Sequence, residues 1–425
     1  MKITMMTIGS TGDVRPYVLL GKELRQRGHE VTIATFTGFE KLIADAGLNY
    51  FELSGDIMKL MSNIMGPRVN GFTFLSKMED ALRDVAPVLL NDLLEAGKGA
   101  EAIICTFFGR VFYSVAEKYN IPCIQTHYFP MDPNDATPIS SAPGQRWGKA
   151  WNRTTYRIGY MLISALEHRY VKDWRIANGM DVRKIGTKPD YRIHDHTVPV
   201  IYAISPLVMP RPKNWDEHIH MSGFWWDENP GEYTPPQDLV DFLNNGKPPI
   251  YIGFGSMVSG NMKKTFTKVL KAVRASGVRA VISLGWAKDQ LNLKSNNRVY
   301  FVDYAPHDWL FPRMSAVVHH GGAGTTASGL RAGKPTLVIP FGGDQPFWGN
   351  RIQSLGCGPK PISRDSMTVQ KLTKAFIALT TKGSYRVAAE ELAQRLRMER
   401  GTATAADMVE KEIAAWHSQD QEDKA

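Results

Sequence analysis

"KITMMTIGSTGDVRPYVLLGKELRQRGHEVTIATF", residues 2–36, decides the fold class. KITMMTI is an apolar run of strand length, and GSTGD is a glycine-punctuated loop. Val14, Tyr17, Val18, Leu20 and Leu24 then recur at helical spacing. Gly28 closes that helix, and EVTIATF opens a second strand. Strand, helix and strand in so few residues predict a right-handed parallel crossover, the unit of a doubly wound α/β sheet.

The same grammar returns at AEAIICTF (100–107) and NIPCIQTHYF (120–129). It breaks over residues 210–249, where PRPKNW, ENPGEYTPPQ and NNGKPP concentrate proline and glycine around one short helix. It restarts at PPIYIGFGSM (248–257) and continues through VRAVISLGW, NRVYFVDY, SAVVHH and PTLVIPF. Two parallel α/β halves joined by a linker suit a chain of 425 residues, at about 200 residues per domain. No fixed short period marks a solenoid.

The composition, 43% hydrophobic and 22% charged, is that of a globular protein with material for two cores. Cys105, Cys123 and Cys357 are far apart and form no C-x-x-C pair, which points to a reducing compartment and away from a cysteine zinc site. The first residues read as a strand rather than a leader. No apolar run approaches the ~20 residues of a membrane span. A cytoplasmic protein is expected, with a net charge of +9 that suits an anionic membrane surface or a phosphorylated substrate. No basic stripe interleaved with aromatics suggests nucleic acid.

Ligands of such sheets sit beyond the carboxyl ends of the strands. The richest such stretch is HHGGAGTTASGLRAGKPTLVIPFGGDQPFW, residues 319–348. His319 and His320 are adjacent and diverge, so they make a poor metal pair. GLRAGKP lacks one spacer and the hydroxyl of a phosphate-binding P-loop, and GFGSMVSG misplaces the last glycine of a dinucleotide fingerprint. What remains is a strand that delivers His320, a glycine turn that brings backbone close to an anion, and a helix capped by Thr325 or Thr326. Asp344 and Gln345 follow the next strand and offer the acceptors and donor that vicinal hydroxyls require. Together these features spell a sugar nucleotide; a plain capped turn with a satisfied histidine is the blander alternative.

The run from Tyr304 to Asn350 resembles the donor signature of nucleotide-sugar glycosyltransferases of GT-B fold. It is most similar to sterol glucosyltransferases and to bacterial transferases acting on glycopeptide and polyketide natural products, as is the opening loop GSTGDVRP. The resemblance implies two Rossmann-like parallel-sheet domains facing a central cleft. Residues 1–225 would bind the acceptor, 226–247 form the linker and 248–403 bind the donor. Residues 404–425 would form a C-terminal helix and tail that cross back.

It further implies that His320 contacts the donor diphosphate, with Gly322, Ala323, Gly324 and Thr325 beside it. Asp344 and Gln345 would read the sugar hydroxyls. Gly255 and Ser256 fall near the phosphates, Tyr304 and Ala305 at the base, and His307 in a PHDWLF segment like that of the sterol branch. Ser10 and Gly12 belong to the opening loop on the donor side. Where the plant pattern has a ribose-binding glutamate this chain has Ser328, so uridine and thymidine donors both stay open.

Asp13 occupies the place where many relatives carry a histidine base, as in the sterol and glycopeptide branches. A carboxylate near pKa 4 suits a late proton transfer, although Asp13 also reads as a helix cap. His127 is the rival base. Met58 and Met61, with Tyr128, Phe129 and Met131, are the candidate acceptor wall. The expected reaction is inverting and metal-free, from a UDP-sugar or dTDP-sugar to a hydrophobic alcohol, with no covalently bound cofactor. A sugar-nucleotide epimerase and a non-catalytic sugar-nucleotide-binding partner are the alternatives.

Overall fold

The computed structural model describes residues 1–55, 80, 83, 85–106, 109–139, 142, 147–186, 191–228, 230–255, 262–285 and 293–422. Two compact units emerge, Met1–Asp227 with Arg400–Ala425, and Glu228–Glu399.

The first unit runs β1 (Lys2–Met6), α1 (Thr11–Gln26), β2 (Glu30–Phe36), α2 (Glu40–Asp45), β3 (Asn49–Leu53), α3 (Ala86–Gly97) and β4 (Ala102–Cys105). It continues through α4 (Gly109–Tyr119), β5 (Cys123–His127), α5 (Lys149–Ala177), the short pair β6 (Arg192–Ile193) and β7 (His196–Thr197), then β8 (Val200–Tyr202) and β9 (Ile219–Met221). Seven strands form one parallel sheet in the order β3-β2-β1-β4-β5-β8-β9. β4 and β5 are buried along their whole length, as strands covered on both faces must be. α1 reaches the sheet through Gly21, where a Cβ would come within 2.9 Å of Leu48 and 3.3 Å of Val31. All three cysteines are free thiols and buried.

The second unit holds α6 (Gln237–Asn244), β10 (Ile250–Gly253), α7 (Met262–Ser276), β11 (Ala280–Ser283), β12 (Val299–Val302), α8 (His307–Leu310) and β13 (Ala316–His319). There follow α9 (Ala323–Arg331), β14 (Thr336–Val338), α10 (Gln345–Ser354), α11 (Val369–Thr381) and α12 (Gly383–Leu396). Its five strands are all parallel, in the order β12-β11-β10-β13-β14. In both sheets the order reverses beside the first strand, between β1 and β4 and between β10 and β13. That reversal opens a crevice at the strand ends, where ligands of doubly wound sheets bind.

Most of the proline-rich segment expected as a linker is part of the second unit. α6 buries Leu239 and Phe242, and the Phe242 ring lies 5.6 Å from Tyr300. The last helix, α13 (Gly401–Glu422), belongs to the first unit. Thr402 Oγ1 accepts from Trp226 N at 2.8 Å and donates to Trp226 O at 2.9 Å. Arg27 reaches Asp407 and Glu410 at 2.6 and 2.8 Å, and Trp416 stacks on His196. Among the described residues no helix is long and apolar enough to cross a membrane.

Candidate active site

In the first unit the chain leaves β1 at Thr7, turns at Gly9 and enters α1 through Ser10. Ser10 caps the helix and forms a reciprocal box with Asp13 three residues on. Asp13 Oδ2 accepts from Ser10 N at 2.7 Å and from Ser10 Oγ at 3.1 Å, while Gly12 N donates to Ser10 Oγ at 3.3 Å. The carboxylate lies in the space a side chain at position 9 would fill. A Cβ on Gly9 would sit 2.2 Å from Asp13 Oδ2. Burial pushes the Asp13 carboxyl up to about 6, against the pull of the Ser10 hydrogen bonds. Its side chain nonetheless stays partly open to solvent.

His127, the rival, ends β5 and is buried at 2% exposure against Tyr202. Burial lowers its pKa to about 3, and neither ring nitrogen has a partner among the described residues. Tyr128 is buried too, edge-on to Tyr17 and Trp225, and its hydroxyl donates to the Asp13 carbonyl at 3.4 Å. It thus supports the Asp13 turn from below. Met131 is likewise buried, and Phe129 is the half-exposed side chain of the three. Met58 and Met61 lie outside the described residues, as does Ser256.

In the second unit His319 is fully buried and its Nδ1 accepts from Gly321 N at 2.9 Å. His320, half-buried, is the side chain presented at the end of β13. Its ring is seated between two glycines. A Cβ at Gly255, where φ is +59°, would lie 3.1 Å from His320 Cε1, and one at Gly322 would lie 2.6 Å from Nε2. Burial lowers the His320 pKa to about 4, with the Gly253 carbonyl acting in the other direction. The imidazole is therefore neutral near pH 7, and it offers a hydrogen bond rather than a charge.

The cap of α9 is Gly322, not either threonine, and its side chain-free backbone takes the extended conformation an N-cap needs. The first intrahelical bond runs from Thr326 N to Gly322 O at 2.9 Å. The amides of Ala323, Gly324 and Thr325 thus precede the helical ladder, at the positive end of the helix dipole. Thr326 is buried.

After β14, Gln345 is turned inward. Its Oε1 accepts from Phe341 N at 2.7 Å and Gly342 N at 3.2 Å, and the side chain is 4% exposed. Asp344 is half-buried and accepts from Trp348 Nε1 at 2.8 Å. Tyr304 is 63% exposed, Ala305 is buried, and His307 stacks on Phe311 at 4.1 Å.

The Glycosyltransferase family 28 N-terminal domain matches residues 3–137, and the erythromycin biosynthesis protein CIII-like C-terminal domain matches residues 268–411. A sterol 3-beta-glucosyltransferase of Arabidopsis thaliana is 32% identical over 419 residues, covering 96% of this chain and 67% of its own. The chain belongs to the sterol 3-beta-glucosyltransferase family.

A further family member, from Candida albicans, is 34% identical over 97% of this chain. The chain spans only 28% of that relative, and 64% of another from Arabidopsis thaliana. Two solved structures share the GT-B fold. The calicheamicin glycosyltransferase CalG4 has a TM-score of 0.69 at 17% identity, covering 97% of this chain and 98% of that one. The glycosyltransferase VinC, solved with dTDP, has a TM-score of 0.68 at 16% identity, covering 98% and 100%. At such identities these structures show the fold alone.

Sequence reading passed over three residues that build this family member's clusters. Gly9 and Gly321 stand in glycine-rich turns, and which glycine makes room for a neighbouring group is set by tertiary contacts that local pattern does not encode. Asp132 follows the candidate acceptor segment. Its carboxylate accepts from Tyr191 and Tyr202 at 2.5 and 2.7 Å, while Tyr202 Oη takes the amides of Met131 and Asp132.

Proposed function

We propose that this protein is an inverting hexosyltransferase that moves glucose from a UDP-sugar to the hydroxyl of a hydrophobic, sterol-like acceptor, giving a β-glycoside without a metal. The observation that carries this reading is the Asp13 seat. A half-open carboxylate is held by its own helix cap in a space kept clear by Gly9, with its proton affinity raised toward neutrality. Such a group accepts the acceptor's proton as the hydroxyl oxygen attacks the anomeric carbon, and is regenerated when the proton passes to water. Buried His127 is not presented for that task.

The departing diphosphate is served by the second unit. Amides at the start of α9 and the neutral His320 N–H donate to its oxygens, so the charge of the leaving group is met by fixed dipoles. Tyr304 offers an exposed ring for the base, Asp344 a carboxylate for sugar hydroxyls, and Gln345 holds the loop that carries Asp344. Phe129 is the acceptor-side contact. The match to the erythromycin-type C-terminal domain and the Ser328 departure favour one competing donor, a dTDP-sugar.

Transfer from UDP-glucose and dTDP-glucose to cholesterol and to a macrolide, with Asp13→Asn and His127→Gln, tests the assignment. We expect UDP-glucose and the sterol to be preferred. Asp13→Asn should lose about 10²- to 10⁴-fold in kcat, and His127→Gln should keep most of it. Full transfer by Asp13→Asn would remove Asp13 from the chemistry. Binding of either nucleotide sugar without transfer to any alcohol would favour the epimerase or binding-partner reading.

A further inference from the structure

α5 is a 29-residue helix with two working faces. The inner face carries the segment that follows β5. Asn152 Nδ2 donates to Asp135 O at 2.8 Å, Asn134 Nδ2 donates to Tyr156 Oη at 2.7 Å, and Thr155 Oγ1 accepts from Ile139 N at 2.9 Å. The outer face is unusual for a helix of a globular protein. Ile158, Met161 and Ile176 are 45%, 42% and 55% exposed, and Trp147, just before the helix, is 66% exposed.

At 100° per residue, positions 158, 161, 165, 172 and 176 fall within an arc of about 60°. Arg157 and Arg169 border that arc and Lys172 lies within it, all three exposed. The two acids of the helix, Glu167 and Asp173, fall outside the arc. Solvent-facing helix surfaces ordinarily mix both signs of charge and avoid large apolar side chains. An apolar stripe whose nearest charges are cations, entered through a tryptophan, is the pattern of a helix lying in a membrane interface.

We propose that the outer face of α5 docks this protein on an anionic lipid bilayer, with Trp147, Ile158, Met161 and Ile176 entering the headgroup boundary and Arg157 and Lys172 meeting lipid phosphates. Charge complementarity selects this occupant. A second copy packed through the same face would bring together two stripes whose nearest charges are all cations, with neither acid of the helix within the arc. The inner face of the same helix holds the loop bearing Phe129. Under the proposed acceptor assignment, on which this last point alone rests, docking sets the acceptor side of the protein against the phase that dissolves a sterol.

Flotation of the full chain with vesicles of phosphatidylcholine, with and without phosphatidylserine, tests the docking. Wild-type protein should float only with the anionic vesicles, and raised salt should release it. Arg157→Glu with Lys172→Glu should weaken partitioning at least about tenfold, and Ile158→Asp with Met161→Asp should abolish it. These side chains are exposed, so circular dichroism melts should coincide with wild type. Because the native cysteines are buried, a polarity-sensitive fluorophore on Met161→Cys gives a second reading, and it should shift to the blue on anionic vesicles. Unaltered flotation of both double variants, or no shift at position 161, would overturn the proposal. So would a wild-type dimer that Ile158→Asp with Met161→Asp converts to monomer without vesicles. None of these readouts uses sugar transfer, so they stand or fall apart from the enzymatic reading. If both hold, the aspartate variant should lose transfer to vesicle-borne sterol and keep it for sterol in detergent.

Discussion

Asp13 is a group whose surroundings set when it can act. With its carboxyl raised to about 6 by burial, it is ionised and able to take a proton above that value, and it loses this ability as pH falls through it. The pH profile of kcat/KM for sugar transfer should therefore show an acid limb near 6, which Asp13→Asn removes along with nearly all the rate. Gly9→Ala should reproduce most of that loss with Asp13 intact, because the new Cβ claims the carboxylate's space. The displaced side chain also gives up its cap, a cost of about 1 kcal/mol, so kcat should fall far more than thermal stability. A Gly9→Ala enzyme with normal kcat would show that the seat is not needed. Sequence pattern made Asp13 legible, since acid at the start of an apolar helix is a local signal. It did not make His127 or Tyr128 legible as buried. Both follow a strand end, and which way each side chain turns there is decided by Tyr17, Tyr202 and Trp225, far away in sequence.

Among the elements, the β13–α9 junction is the most constrained. Gly321 has φ +101°, and a Cβ there would meet Gln345 O at 2.9 Å and Val338 Cγ1 at 2.7 Å. Gly321→Ala therefore costs at least about 1–2 kcal/mol in backbone strain alone. It should also weaken nucleotide-sugar binding measured by calorimetry, since the turn sets both His320 and the α9 amides. The strand–loop–helix order of this junction was plain from residues 315–333, but its cap was not. Any residue in extended conformation can hold that position, and Gly322 took it from Thr325 and Thr326. Gln345 shows the same limit, because its pattern in the sequence does not tell that its Oε1 is held by its own loop. In the segment after β5, Asp132 accepts from Tyr202 at the end of β8 and from Tyr191 just before β6. Asp132→Ala takes away the acceptor of both hydroxyl protons, at about 1–3 kcal/mol, and a lowered melting temperature should accompany a raised KM for the acceptor.

At the scale of the molecule, the two parallel sheets followed from repeated grammar, whereas the return of α13 to the first unit was implied by the family resemblance alone and rests on contacts between residues hundreds of positions apart. Thr402 is the sensitive point. Thr402→Val removes the hydroxyl that bridges the amide and carbonyl of Trp226, at about 1–3 kcal/mol. The melting transition of the first unit should fall while nucleotide-sugar affinity, assigned to the second by the proposed function, stays unchanged. A loss of nucleotide affinity in that variant would contradict the division into units. The discontinuity also orders events during synthesis. The second unit, Glu228–Glu399, is contiguous and has all its residues in hand before α13 is made. The first unit's opening residues precede it yet must wait for that helix. On the ribosome the contacts that Arg27, His196 and Trp226 make with α13 stay unmade until the whole second unit has been translated.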